Sequence, residues 1–380
     1  MLRRSIALAG ALACAFVFFG FSAQAAAVED ESSKIIEDMY KESGADKLFY
    51  ALPESSRDFL SEIGLSDFRP FAADSITPNR LEGAIKKAVI DNFDEPLRVF
   101  LFIIAAVVIA GALDTVKGGL AEQKLLSLAA SLCVVSAVSP PLISLINYLG
   151  ETISAAGNFM LLYVPVMAGL MAAGGGTASS TAYCGVMIYT SNLVVQVCTR
   201  LVIPLMKCIM ALSITSSACE SMKLDGVIEM FRKVSRIILT FCMSLFVAFL
   251  TMRSIVAAAA DNLANRAVKF AVSSFVPLVG GALSDAYQTM ISCVSVLKSG
   301  VGAAAIAAVF AVFAYPVVRC MIWQMTVSAA AAVCDLFGIS RLSSLMRSCS
   351  SVISVMFAVM MCTMVIYIIG TAVIIIVGKG

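Results

Sequence analysis

From residue 96 onward, long apolar runs alternate with short polar breaks. The runs cover residues 97–116, 125–149, 158–173, 183–217, 237–252, 303–333 and 352–377. About 20 such residues cross a hydrocarbon core as a helix. The pattern therefore predicts six to eight membrane helices. Several runs carry internal prolines, at Pro140, Pro141, Pro165, Pro204 and Pro316, and these are expected to break them. Before residue 96 the rhythm changes to short amphipathic helices. One covers residues 33–43, with Ile35, Ile36 and Met39 on one side. Pro53 opens a second, whose apolar set is Phe59, Leu60 and Ile63 and whose stop is Gly64. Thr77-Pro78 starts a third, with Leu81, Ile85 and Val89 as its apolar stripe. Some 70 residues with few large apolar side chains make a marginal core. The segment is expected to pack on the membrane domain or on a partner.

Charge sharpens this division. Sixteen of the 25 acidic residues lie between Glu29 and Glu95, with 8 basic ones; from Pro96 onward there are 17 basic and 9 acidic residues. The expected organisation is a signal peptide over 1–25, an acidic extracytoplasmic helical segment over 26–95 and a transmembrane domain over 96–380. The signal peptide is read from the basic Met1-Leu2-Arg3-Arg4, the apolar run to Phe21 and the small-residue site Ala23-Gln24-Ala25. Three loops hold basic residues: Lys117 and Lys124; Lys223, Arg232, Lys233 and Arg236; Arg341 and Arg347. Such loops favour the cytoplasmic side, which suits an external N-terminal segment. Arg253, Arg266 and Lys269 run against this scheme.

The stretch from Phe270 to Gly302 departs most from a smooth spanning helix. Pro277 removes a backbone donor, Gly280 and Gly281 loosen the chain, and Asp285 and Lys298 add two charges. A charge at the centre of a membrane helix costs about 2.5–3.5 kcal/mol on insertion scales. Irregular backbone at that depth needs protein or water around it. Pro165 with Gly174, Gly175 and Gly176 forms a second element of this kind. Both are expected to be re-entrant-type broken segments lining a shared cavity. Asp285 and Lys298, thirteen residues apart, would need a turn between them to pair. Close helix packing through the glycines is the competing reading.

The chain has no histidine, which removes histidine-based acid–base catalysis and the commonest metal ligand. Its 12 cysteines are scattered, with no Cys-x-x-Cys pair, so they read as small buried hydrophobes. There is no phosphate-binding loop of the Walker type. Asp261, Asp285 and Asp335 have no spacing that recommends acid–base work. No cofactor, metal or enzymatic activity is expected.

An internal repeat is suggested at an offset of about 112 residues. Tyr163-Val164-Pro165 matches Phe275-Val276-Pro277, and Pro204-x-x-Lys207-Cys208 matches Pro316-x-x-Arg319-Cys320. Parallel units over 124–235 and 236–347 would follow. Pro96-x-Arg98 begins a partial third.

The run from Phe275 through Val279-Gly280-Gly281-Ala282-Leu283-Ser284-Asp285-Ala286 to Thr289, with Cys293 and Leu297-Lys298 to Gly302, resembles the signature stretch of the stage III sporulation protein AE family. Tyr163-Val164-Pro165 through Gly174-Gly175-Gly176-Thr177 resembles its other glycine-rich segment. The family pattern has asparagine after the lysine, where this chain has Ser299. The resemblance implies a multipass part of the channel complex joining mother cell and forespore, in the mother-cell membrane around the forespore. It implies as partners the other stage III A proteins, including a secretion-type ATPase and ring-forming proteins. A permease-like or pore-forming role is the first expectation. A non-conducting scaffold is the alternative.

Overall fold

The structure is a computed structural model and describes residues 30–69, 77–114, 120–218, 226–242 and 280–376, with Ser244, Phe246 and Ala248. Among these residues there is no strand. The polar segment folds as α1 (Asp30–Glu42), a 3-10 turn (Ala45–Lys47), α2 (Glu54–Ile63) and α3 (Pro78–Asp91). The apolar part comprises α4 (Asp94–Asp114), α5 (Leu120–Ala173), α6 (Thr177–Val197), a π turn (Cys198–Val202), α7 (Ile203–Ala218), α8 (226–242), α9 (Gly280–Leu336) and α10 (Ser340–Ile376). Among the described residues four stretches are long and apolar enough to cross a membrane, where six to eight were expected: Leu132–Ala173, Ser180–Ser216, Thr289–Leu336 and Leu342–Ile375.

The prolines do not break these helices. α5 runs unbroken through Pro140, Pro141 and Pro165, and α9 through Pro316. A proline forfeits one backbone bond and crowds the preceding turn, a cost that helices clamped on both flanks can carry. Ahead of Pro204 the π turn widens the helix, which gives the ring room. Breaks occur instead at glycines with positive φ. Gly175 (φ 84°) and Gly338 (φ 72°) sit in the α5–α6 and α9–α10 turns. In the first, the Gly176 N–H bonds the Met171 carbonyl and the Gly175 N–H that of Ala172. In the second, Ile339 and Gly338 do the same to Cys334 and Asp335. Both are Schellman caps, in which glycine takes the left-handed position without a Cβ penalty.

α9 is the spine, touching α1, α2, α3, α4, α5 and α10. Its register with α10 is antiparallel along the whole length. Gly302 meets Ile375, Gln324 Nε2 donates to Ser350 Oγ (2.6 Å), and Arg347 Nη2 donates to Asp335 (2.5 Å). α5 is also antiparallel to α9, with Gly174 against Val294 and Met167 near Gly302. α6 and α7 return along α5, as Gly157 meets Val195 and Gly150 meets Ile203. The Cys349 thiol reaches the Met210 sulfur at 3.9 Å, so α7 ends beside the start of α10. α4 runs parallel to α9. Tyr315 donates to Asp91 at 2.9 Å, and four residues further on in both segments Arg319 donates to Glu95 at 2.9 Å. The C-terminal ends of α4, α7 and α9 therefore share one end of the bundle.

The polar segment docks on the bundle instead of standing apart. Phe59 meets Phe310 of α9 at 6.2 Å and Phe68 meets Phe159 of α5 at 6.1 Å between ring centroids. The buried side chains of Ile36, Tyr40, Phe59, Leu60, Ile63 and Phe68 join one continuous core with the long helices. Pro53 and Gly64 bound α2 as expected, the latter left-handed with φ 96°. In α3 the expected stripe holds at Leu81, which packs on the core, and fails at the other two positions. Ala84 and Ala88 are buried while Ile85 and Val89 are exposed. Alanine lets α3 approach α2 and α9 closely, an advantage that side-chain size alone does not reveal. Lys87 of α3 pairs with Glu62 of α2.

Tyr40 ties α1 to the end of the segment, its hydroxyl accepting the Phe68 N–H at 3.3 Å. Burial pushes the Tyr40 phenol up from its ordinary value to about 12. The folded state thus favours the neutral phenol. This contribution is fully present below the unfolded value and is lost as pH rises toward 12. Tyr40→Phe should cost about 1 kcal/mol at neutral pH, because the Phe68 amide loses its acceptor. Thermal melts of both proteins from pH 8 to 12 check this. The gap should hold below pH 10 and shrink above it.

Candidate functional site

The residues expected to form the site separate into two groups. Gly174, Gly175 and Gly176 make the α5–α6 turn, and Thr177 already begins α6. A Cβ at Gly174 would fall 3.2 Å from Val294 Cγ1, so this turn lies against α9 at Val294. One helical turn along α9 from Val294 comes Lys298, and one more brings Gly302. Lys298 is 4 % exposed, so the ammonium sits inside the bundle beside the turn. The sequence expected a shared cavity here; what the structure places is Gly174 against Val294, one helical turn along α9 from Lys298.

The rest is arranged otherwise. Pro277 lies outside the described residues. Gly280 and Gly281 are the first described residues of α9, and the break expected just before them lies outside the described residues. Asp285 and Lys298 share that unbroken helix, with about 20 Å of rise between their backbones at 1.5 Å per residue, and no turn brings them together. Pro165 lies on the exposed side of α5, inside an unbroken helix. The element expected at Pro165 and Gly174–Gly176 is thus an unbroken helix ending in a helix–helix turn.

Below the turn the bundle holds buried hydroxyls that the sequence reading passed over. Tyr163 and Tyr183 each bury a hydroxyl with no hydrogen-bond partner among the described residues. Ser180 Oγ donates to the Ala168 carbonyl at 2.7 Å, pinning the start of α6 to α5. Deeper in, the Tyr367 and Ser191 hydroxyls face each other without full hydrogen-bond geometry. The available signal was three tyrosines inside apolar runs, where a phenol carries a polar end into a packed core. Around them the interior is filled by Met167, Met187, Phe313 and Met360, all buried. No group of three potential metal ligands occurs among the described residues.

The family profile of stage III sporulation protein AE matches residues 72–378. The chain belongs to that family. The match covers α3 through α10 and leaves α1 and α2 outside it. Stage III sporulation protein AE of Bacillus subtilis (strain 168) is 28 % identical over 196 residues, 51 % of this chain and 48 % of the relative. The similarity thus spans about half the length of that relative. No solved structure matches the chain.

Proposed function

We propose that this chain is a multipass membrane subunit of a sporulation channel complex linking mother cell and forespore. It sits in the mother-cell membrane surrounding the forespore, with its acidic segment outside the cytoplasm. Its partners are the other stage III A proteins, among them a secretion-type ATPase and ring-forming proteins. It performs no catalysis itself. The observation that carries the mechanistic part is the filled interior of the α5–α6–α9–α10 bundle. A single copy with Tyr163, Met167, Phe313 and Tyr367 packed at its centre serves as an anchor that holds other components. A conducting path would form between copies or subunits.

A second reading, a permease-like part within one chain, draws support from the buried Lys298, because charges inside membrane proteins mark transport paths. Lys298→Met separates the two. On the anchoring reading, the groups around the ammonium lose their polar contact at a cost of about 1–3 kcal/mol. Protein level and complex assembly then fall together with forespore gene expression. On the permease reading the variant accumulates and assembles normally while expression in the forespore collapses. Quantitative immunoblotting beside a forespore reporter reads both. We expect the correlated loss, and a normal level with a silent reporter would refute the anchoring reading.

A further inference from the structure

The long helices exceed what a bilayer needs. The apolar stretch Thr289–Leu336 has 48 residues, about 72 Å as a helix, against a hydrocarbon core of about 30 Å. A band of charge divides the bundle near its middle. Arg319 of α9 hydrogen-bonds Glu95 at the start of α4 and lies 5.4 Å over the Tyr148 ring of α5. Gly150 of α5 packs on Ile203, directly before Pro204, which places the exposed Lys207 just below that level. Arg98, one turn into α4, is exposed there too. Pro96-x-Arg98, Pro204-x-x-Lys207 and Pro316-x-x-Arg319 thus stand at one height, on three helices that run the same way. Beyond them residues 99–113 and 320–334 carry no charge until Asp114 and Asp335.

The two layers expose different surfaces. On the Asp335 side, Leu101, Phe102, Ile109, Leu132 and Met325 are exposed. On the other side the exposed face of α6 carries Thr181, Gly185, Tyr189, Asn192 and Gln196, with Leu161, Leu162 and Met290 exposed on α5 and α9, a mixed surface rather than a continuous apolar belt. The acidic segment wraps that second layer, on Phe310 and Phe159, and bears exposed ion pairs such as Glu82–Lys86. Such pairs do not dissolve in acyl chains.

We propose that the bilayer covers only the layer from the Arg98–Lys207–Arg319 level to the Asp114 and Asp335 ends. Lipid chains are the partner of its apolar belt. Between Arg319 and Asp335 the rise is about 24 Å, and long cationic side chains reaching outward extend that toward a full hydrocarbon thickness. The upper layer, with the α5–α6 turn and Lys298, stands outside the membrane. Lys298 lies about 32 Å above the Arg319 level at 1.5 Å per residue. The glycine-rich elements then belong to a projecting bundle sheathed by the acidic segment. This assignment holds whether the complex conducts or only anchors.

The test uses the full chain reconstituted into phosphatidylcholine vesicles with or without bromine on the acyl chains. A fluorescent amino acid replaces one exposed residue at a time, at Leu101 or Met325 in the belt and at Thr181 or Asn192 above it. Bromine quenches only on contact with lipid chains, so protein covering the upper layer leaves the result unchanged. We expect at least about a twofold loss of emission at 101 and 325, which lie within the hydrocarbon thickness, and no loss at 181 and 192. Quenching at 181 or 192 comparable to that in the belt would overturn the placement. So would the absence of quenching at 101 and 325.

Discussion

Gly302→Val is expected to pry α9 from α10 and to lower stability by about 1–3 kcal/mol or more, the usual cost of overpacking a closed core. Even a single Cβ at this position would fall 2.6 Å from Ile375 Cγ1 and 2.7 Å from its Cδ1, with Met167 Cε at 3.8 Å. Ile375 is fully buried and has little room to turn aside. Valine adds two further methyl groups to the same gap. Gly370 and Gly157 are close-contact positions of the same kind, against Met187 and Val195. Glycines at helix crossings let backbones approach closely in membrane proteins. The matched control is Gly169→Ala, where nothing lies within 4 Å and the helix gains propensity worth about 0.5–1 kcal/mol. Thermal denaturation in detergent should show Gly302→Val well below the parent and Gly169→Ala at or above it. Adding Ile375→Ala to Gly302→Val should recover part of the loss. Unchanged stability for Gly302→Val would mean that α9 and α10 do not meet as described.

Much of this architecture was legible in the sequence because two signals are local. Pro53 and Gly64 bound α2 through backbone conformations that need no tertiary context. The apolar runs marked the helical membrane part, but the runs over 125–149 and 158–173 join in one helix, and four stretches among the described residues are long and apolar enough to span. The three basic loops pointed to one end of the bundle, where α4, α7 and α9 indeed finish. Proline was over-read. Pro140, Pro141, Pro165 and Pro316 all lie inside helices, since neighbouring helices hold the flanks together whatever the local preference. The α3 stripe failed at Ile85 and Val89 for another reason. Ala84 and Ala88 are buried because small size permits close approach, and Leu81, Ile85 and Val89 sit at equally good helical spacing. The packing of the Gly174–Gly176 turn on Val294, one turn along α9 from Lys298, had no local sign in the sequence. Its physical basis is the antiparallel register of α5 and α9, a long-range fact with no local trace.

Trp323→Ala should be the most damaging single truncation in the membrane layer. Cys320, Trp323, Val327, Ala330 and Cys334 form one stripe along α9, each at most 1 % exposed. Trp323 is the largest of the fully buried side chains. Truncating a buried tryptophan costs about 3–5 kcal/mol where the surroundings cannot collapse. Lipid is as apolar as the protein interior, so transfer adds little here and the cavity dominates. That argues for the lower part of the range. The indole N–H has no hydrogen-bond partner among the described residues, so Trp323→Phe discards no bond and keeps most of the volume. Its expected cost is below about 1.5 kcal/mol, as for other near-conservative core exchanges. Unfolding of the three proteins in mixed micelles with rising denaturing detergent should rank them parent, Trp323→Phe, Trp323→Ala. Equal losses for the two variants would show that the ring edge and its N–H, rather than filled volume, hold α9 in place. An alanine variant as stable as the parent would mean that the stripe faces lipid instead of the bundle.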